Sequence, residues 1–301
     1  MIQRYPINLQ AVFWIGVCKI SFVTLMALNK QSLLPTFEIN FCRSFLIALI
    51  TAGIIGFNKK LTFKTRNPKL QLLKVSVGAF GMIGYFYGFR HLEMAYATTL
   101  DFSQSLILPL FAILFLKERI NLRRLLALCI GYIGILIAVN PVYKSLEAAE
   151  IIMLVAAACG AFAVVCAKKL TAKDSPILLM FYSGVATTFF LGIYYAVPWF
   201  DAGPQGQWVP LTAEHIPFFS LLIFISFIMQ YSYIKAYSLA DVGFLAPFNY
   251  IKFFISVCFS LIFFNQIPTL ETFFGAALIA ASTVYLTKKE LNTVPQYRYK
   301  D

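Results

Sequence analysis

Apolar residues run along this chain in blocks long enough to cross a bilayer, separated by short polar gaps. A membrane-spanning helix needs about 20 mostly apolar residues. Ten stretches answer to that length: 8–28, 36–56, 71–90, 97–116, 121–140, 149–168, 177–198, 216–237, 243–264 and 270–287. The first lacks a small-residue cleavage site and is too long for a signal-peptide core, so it reads as a helix of the mature protein. Five ionisable residues break the pattern from within: Lys19, Arg43, Asp101, Lys235 and Lys252. Lys252 sits inside Ala246-Pro-Phe-Asn-Tyr-Ile-Lys-Phe-Phe-Ile-Ser-Val-Cys-Phe-Ser-Leu-Ile-Phe-Phe264, where a charge at bilayer depth costs about 2.5 to 3.5 kcal/mol. Such residues point to a polar path through the membrane.

Composition agrees with the pattern. Hydrophobic residues make up 60% of the chain and charged ones 13%, with a mean hydropathy of +0.76, which leaves too little polar material to cover a soluble globule. The net charge of +12 would suggest nucleic acid in a soluble protein. Here the basic residues lie in the gaps between apolar blocks, where they set orientation, and no nucleic-acid partner is expected. With the N-terminus inside, eighteen Lys and Arg fall on cytoplasmic stretches, Lys74 and Lys168 among them, against Lys30, Arg90 and Lys144 outside. That asymmetry predicts both termini in the cytoplasm and a multi-pass protein of the cytoplasmic (inner) membrane. The six cysteines lie within apolar blocks without CxxC spacing, so they read as packing residues and no metal or cofactor site is expected. No nucleophile elbow, Walker loop, HExxH or paired-carboxylate pattern appears, which argues against an enzyme.

The chain repeats itself at a displacement of 148 residues, which sets Glu93 on Asp241, Asp101 on Asn249, Gln104 on Lys252 and Phe115–Glu118 on Phe263–Gln266. Five helices per repeat is an odd number, so the second half enters the membrane in the opposite sense, as in many secondary transporters. The expected fold is therefore an all-α integral membrane protein of ten transmembrane helices in two inverted five-helix repeats, 8–140 and 149–288, with a short cytoplasmic tail at 289–301.

Three stretches carry a family resemblance: Tyr87-Gly-Phe-Arg-His-Leu-Glu-Met-Ala-Tyr-Ala-Thr-Thr99, Pro109-Leu-Phe-Ala-Ile-Leu-Phe-Leu-Lys-Glu-Arg119 and Gly131-Tyr-Ile-Gly-Ile-Leu-Ile-Ala-Val-Asn-Pro141. Together they resemble the EamA domain of the drug/metabolite transporter superfamily, and the second half keeps the likeness in Ala-Tyr-Ser-Leu-Ala-Asp241 and Phe-Phe-Asn-Gln266, with Gln266 replacing the usual Glu. The resemblance implies ten helices, cytoplasmic termini and a central cavity lined by both halves. It leaves the substrate open among amino acids, nucleotide derivatives, drugs and sugar phosphates.

The buried polar residues indicate where a solute would bind. Asn249, Lys252 and Ser256 share one face of the ninth segment. Their spacing is similar to the Asn-x-x-Lys-Arg signature of the phosphate-translocator and nucleotide-sugar branch, except that Phe253 stands in place of the Arg. Some S-adenosylmethionine carriers of the EamA branch carry an acidic residue where this chain has Lys252. Lys252 either meets substrate or pairs with Asp101, its near-symmetric counterpart on the fourth segment. Asp101, beside Ser103 and Gln104, could equally be an exposed helix cap or a cavity group. Lys19 is the second cationic candidate, whereas Arg43 and Lys235 lie nearer the membrane faces. Tyr85 and Tyr87, with Tyr231 and Tyr233, could stack on a planar solute.

Pro109 and Pro247 permit kinks in the fourth and ninth segments, while the small residues of the fifth (Gly131, Gly134) and tenth suit a structural or dimerising edge. The predicted function is a secondary carrier of a small polar metabolite, as monomer or homodimer among membrane lipids. Four buried cations against one carboxylate bias its substrate toward an anion or zwitterion such as an amino acid, carboxylate or phosphorylated metabolite. An S-adenosylmethionine-type solute or a hydrophobic drug is the alternative, and a channel stands further off.

Overall fold

A backbone surrounded by apolar side chains and lipid must satisfy its own hydrogen bonds, which leaves the helix as the available form for single spans. The computed structural model of this protein follows that rule: among the described residues (4–32, 34–91, 100–118, 122–139, 148–196, 208–210, 212–252 and the isolated positions 255, 258, 270, 274, 277, 278 and 281) every regular element is helical. The elements are α1 Arg4–Gln31, α2 Thr36–Phe57, α3 Pro68–His91, α4 Ser103–Phe111, α5 Leu122–Val139, α6 Ala148–Leu170, α7 Pro176–Ala196, α8 Ile216–Leu239 and α9 Val242–Leu245. Four stretches are long and apolar enough to cross a membrane outright: Phe37–Phe57, Ala148–Leu170, Pro176–Ile193 and Ala213–Leu239. Leu9–Leu25, Ser103–Leu116 and Leu125–Gly134 are shorter apolar helices. Most of the expected tenth segment, the external Gly203–Trp208 loop up to Gln207, Glu93, Gln266 and Ser256 lie outside the described residues.

The two expected proline breaks take different forms. Pro109 lies inside α4, which runs on as a π-helical turn, Ala112–Leu116, ending at Lys117 in the left-handed region with φ 56°. Pro109 has no amide hydrogen to donate to the carbonyl four residues before it, and the π-helical turn begins three residues after it. After α9 the chain continues directly into a 3-10 turn, Ala246–Tyr250 (the 3-10 turn of α9), which contains Pro247, before helix resumes at Ile251 and Lys252.

Small residues decide which helices approach closely, since lipid gives no hydrophobic push between spans. The glycines of α3 lie against α6: a Cβ on Gly81 would fall 2.8 Å from Cys159 Cβ, and one on Gly84 3.2 Å from Ala156 Cβ. In α7, a Cβ on Gly184 would fall 3.0 Å from the Ser44 carbonyl of α2. The close approaches therefore run along α3/α6 and α2/α7. Gly131 and Gly134 of α5 are buried, and the expected edge formed with the tenth segment falls mostly outside the described residues.

The principal helix pairs are α1 with α8, α3 with α6, α2 with α7 and α4 with α6, while the 3-10 turn of α9 touches α1, α4 and α5. Two buried carboxylates tie loops across the bundle. Glu38, in the first turn of α2, accepts the Val209 amide at 2.9 Å. Asp174, just before α7, accepts the Arg66 amide at 3.1 Å and the Thr65 hydroxyl. An aromatic edge contact accompanies each tie, Phe41 on Trp208 at 5.7 Å and Phe63 on Phe181 at 5.4 Å.

Candidate functional site

Asp101 is helical and lies just before the turn residue Phe102 that leads into α4, and Lys252 follows the 3-10 turn of α9. A buried network holds that turn in place. Tyr250 donates its hydroxyl to the Leu128 carbonyl of α5 at 3.0 Å and packs on Phe102, with ring centroids 5.9 Å apart. Asn249 donates to the Tyr237 hydroxyl of α8 at 3.4 Å. With α9 so fixed, Lys252 Nζ reaches Asp101 Oδ2 at 2.6 Å, the two side chains being 13% and 6% exposed. Charge-assisted bonds of this length are among the stronger polar contacts in proteins. The alternative of Asp101 as an exposed helix cap is thereby removed: α4 has Phe102 at its cap position with no capping side chain, and Asp101 is buried in an ion pair.

Aromatic rings line the pair. The Lys252 ammonium lies 4.3 Å from the Phe102 ring centre and 5.7 Å from that of Phe22, within the range of cation–π attraction. The Tyr85 hydroxyl of α3 hydrogen-bonds the Asp101 carboxylate. Lys19 of α1 lies 5.8 Å from the Tyr233 ring centre and close enough to Lys252 and Asp101 to interact with both charges. Tyr233 packs edge-on against Tyr237 at 4.9 Å. Five of the expected site residues thus meet around one centre: Lys252, Asp101, Lys19, Tyr85 and Tyr233. Asn249 braces that centre through Tyr237. Gln104 lies against α6, where a Cβ on Gly160 would fall 2.9 Å from its amide nitrogen. Arg43 of α2 keeps a buried Nε without a hydrogen-bond partner, Lys235 of α8 is half-buried, and Ser256 lies outside the described residues.

Other polar residues prove structural where the sequence reading gave them only a topological part. Glu118, which follows the π turn of α4, accepts the Val242 amide at 3.1 Å and so caps the start of α9. Lys168, near the end of α6, donates to the Ala240 carbonyl at 2.8 Å and lies close to Asp241 and Glu118. Together they join the ends of α4, α6 and α8 to the start of α9. Lys74 lies in α3 and donates to Ser183 and to the Leu179 carbonyl of α7. Lys74 and Lys168 were counted among cytoplasmic gap residues, although each falls at the margin of a predicted span, at 71–90 and 149–168. That position was the signal that they could turn inward.

Comparison with known proteins places the chain. It is 28% identical over 262 residues to an S-adenosylmethionine uptake transporter of Rickettsia conorii, with 86% of each chain covered. The corresponding protein of Rickettsia bellii is 26% identical, with 85% of each covered. A riboflavin transporter of Brucella anthropi is 28% identical, with 86% of this chain and 90% of the relative covered. A solved crystal structure at 14% identity superposes with a TM-score of 0.75 over 95% of this chain and 99% of its own, which shows a shared fold. The EamA-like transporter family matches residues 9–140 and again 148–288. The chain is therefore a multi-pass membrane transporter rather than an enzyme, and it belongs to the EamA-like transporter family.

Proposed function

We propose that this protein carries a small metabolite presenting a carboxylate beside a planar ring, by alternating access between inverted halves 8–140 and 149–288. The observation that carries the proposal is the centre itself. Lys19 and Lys252 set two ammonium groups against the one carboxylate of Asp101, among the rings of Phe22, Phe102, Tyr85 and Tyr233. Asp101 occupies the position at Lys252 that a substrate carboxylate would take, and Lys19, near both charges, can compensate Asp101 when a substrate carboxylate takes its place. S-adenosylmethionine suits such a centre. Its α-carboxylate matches the lysines, its adenine can stack on the rings, and its sulfonium can lie over a ring face. The Rickettsia relatives, named for uptake of that metabolite, support the choice.

The inverted arrangement draws support from packing. Exchanging α1 with α6, α2 with α7, α3 with α8 and α4 with α9 turns the α1/α8 pair into α6/α3, leaves α2/α7 unchanged and turns α4/α6 into α9/α1, all of which are present. The same exchange relates the Glu38 tie to the Asp174 tie. The two ties use one device, which supports a repeat entering the membrane in opposite senses.

A second reading is favoured by the Brucella relative: a neutral planar solute such as riboflavin, bound by the rings with Lys252 still paired to Asp101. The deciding experiment is counterflow in proteoliposomes with labelled S-adenosylmethionine, riboflavin and an anionic amino acid. It compares the native protein with the Lys252→Gln/Asp101→Asn double variant, which removes both members of the ion pair. Trans-accelerated S-adenosylmethionine or amino-acid flux that the double variant abolishes supports the carboxylate reading. Riboflavin flux unaffected by the double variant replaces it with the second. Flux without trans-acceleration overturns the carrier mechanism itself.

A further inference from the structure

Lys74 lies two turns into α3 from the end that follows the Lys- and Arg-rich 58–67 connection. A lysine so near a membrane face ordinarily extends its stem outward and leaves its ammonium among headgroups. This one turns inward, donating to the Ser183 hydroxyl and, at 3.4 Å, to the Leu179 carbonyl, both on α7. Both acceptors are neutral. Ser183 donates its own proton to the Leu179 carbonyl at 2.7 Å, so its lone pairs face the ammonium. The carboxylate at the start of α7, Asp174, is engaged by Thr65 and the Arg66 amide.

Three residues before Lys74, and hence on the same helical face, Gln71 is 2% exposed, and neither its amide oxygen nor its amide nitrogen has a hydrogen-bond partner. Buried amides are almost always satisfied, and buried ammonium groups call for a counter-charge. Lys74 has three N–H donors, two of them used, and Gln71 has two more with none used. One remaining ammonium hydrogen and, about one helical turn before it, an unpartnered amide supply donors for the two oxygens of a carboxylate or phosphate.

We propose that Lys74 and Gln71, backed by Ser183, form an oxyanion-binding site between α3 and α7, separate from the Lys252–Asp101 centre. Its ligand is either the carboxylate or phosphate of a soluble metabolite at the mouth of the carrier or the phosphate of an anionic lipid. The site does not depend on which substrate the central pair carries.

The test is thermal unfolding of the purified full-length protein in uncharged detergent. Inorganic phosphate, acetate and phosphatidylglycerol are titrated separately at constant ionic strength, into the native protein, Lys74→Gln, Gln71→Leu and the Lys252→Gln/Asp101→Asn double variant. The expected result is a saturable rise in Tm with at least one probe, on the order of 2 to 4 °C. It is abolished in Lys74→Gln and Gln71→Leu and kept in the Lys252→Gln/Asp101→Asn double variant. A response to phosphate or acetate assigns a soluble oxyanion, and a response confined to phosphatidylglycerol assigns a lipid. If Lys74→Gln does not fold, Gln71→Leu alone decides, because it leaves the α3–α7 lysine contact intact. No saturable rise with any probe, or an equal rise in Gln71→Leu, overturns the site.

Discussion

Lys252 and Asp101 show what a single pair of charges does at bilayer depth. Each alone is expensive to bury, while together they form one short, nearly buried contact. Removing one member leaves the other uncompensated, which in buried pairs destabilises by about 3 to 5 kcal/mol, whereas removing both is far less damaging. Lys252→Gln and Asp101→Asn should therefore each lower the Tm markedly, and the double variant should recover most of the loss. A thermal double-mutant cycle checks this, and additive losses would mean that the two residues do not act as a pair. The position of Lys252 in an apolar block made it visible in the sequence, as did that of Lys19. The partner of Lys252 was visible only as one of two alternatives, because choosing between them requires knowing how α9 lies against the start of α4.

At the scale of elements, packing distance rather than helix propensity sets the consequences of substitution. A Cβ at Gly81 would meet Cys159 Cβ at 2.8 Å and the Ala156 carbonyl at 3.2 Å, both held rigidly in α6. At Gly78 the nearest atom would be 3.7 Å away, and at Gly53 there is nothing within 4 Å. Gly81→Ala should push α3 from α6 and reduce the yield of folded protein. Gly78→Ala and Gly53→Ala should be neutral or stabilising by about 0.5 to 1 kcal/mol, because alanine is the better helix former. Fluorescence-detected size-exclusion chromatography with a heating step ranks the three, and a native-like Gly81→Ala would show that α3 and α6 are less tightly seated. The sequence reading placed the small-residue edge on the fifth and tenth segments and did not single out the α3 glycines. Nor was their partner helix legible, since periodicity along one helix says which residues share a face and not which neighbour that face meets.

At the scale of the whole molecule, the ends of α4, α6, α8 and α9 are closed by Glu118 on the Val242 amide and Lys168 on the Ala240 carbonyl. On the topology predicted from the Lys and Arg distribution, those contacts would stand between the central pair and the face bearing the Lys- and Arg-rich gaps. Glu118→Ala with Lys168→Ala should loosen that face and speed alkylation of Cys18, a buried neighbour of Lys19, by a membrane-impermeant maleimide applied from that side. The readout is the labelling rate in a variant retaining Cys18 as its sole cysteine, and an unchanged rate would remove these contacts from any gating part. Likewise, Asp174→Ala frees the Thr65 and Arg66 contacts and should cost about 1 to 3 kcal/mol. Proteolysis within the 58–67 connection should then become faster, and an unchanged cleavage rate would show that the tie is dispensable. The sequence by itself determined that the chain lives in a membrane, that its regular elements are helices and that charged residues occur at depth. Those properties follow from the length and composition of each block and from the need of a backbone in lipid to bond to itself. Only the tertiary structure decided that Lys252 meets Asp101, that Lys74 and Lys168 turn inward and that Glu118 caps α9. Each of these joins residues far apart in the chain, and whether a lysine near a membrane face reaches outward or inward depends on the neighbour that packs beside it.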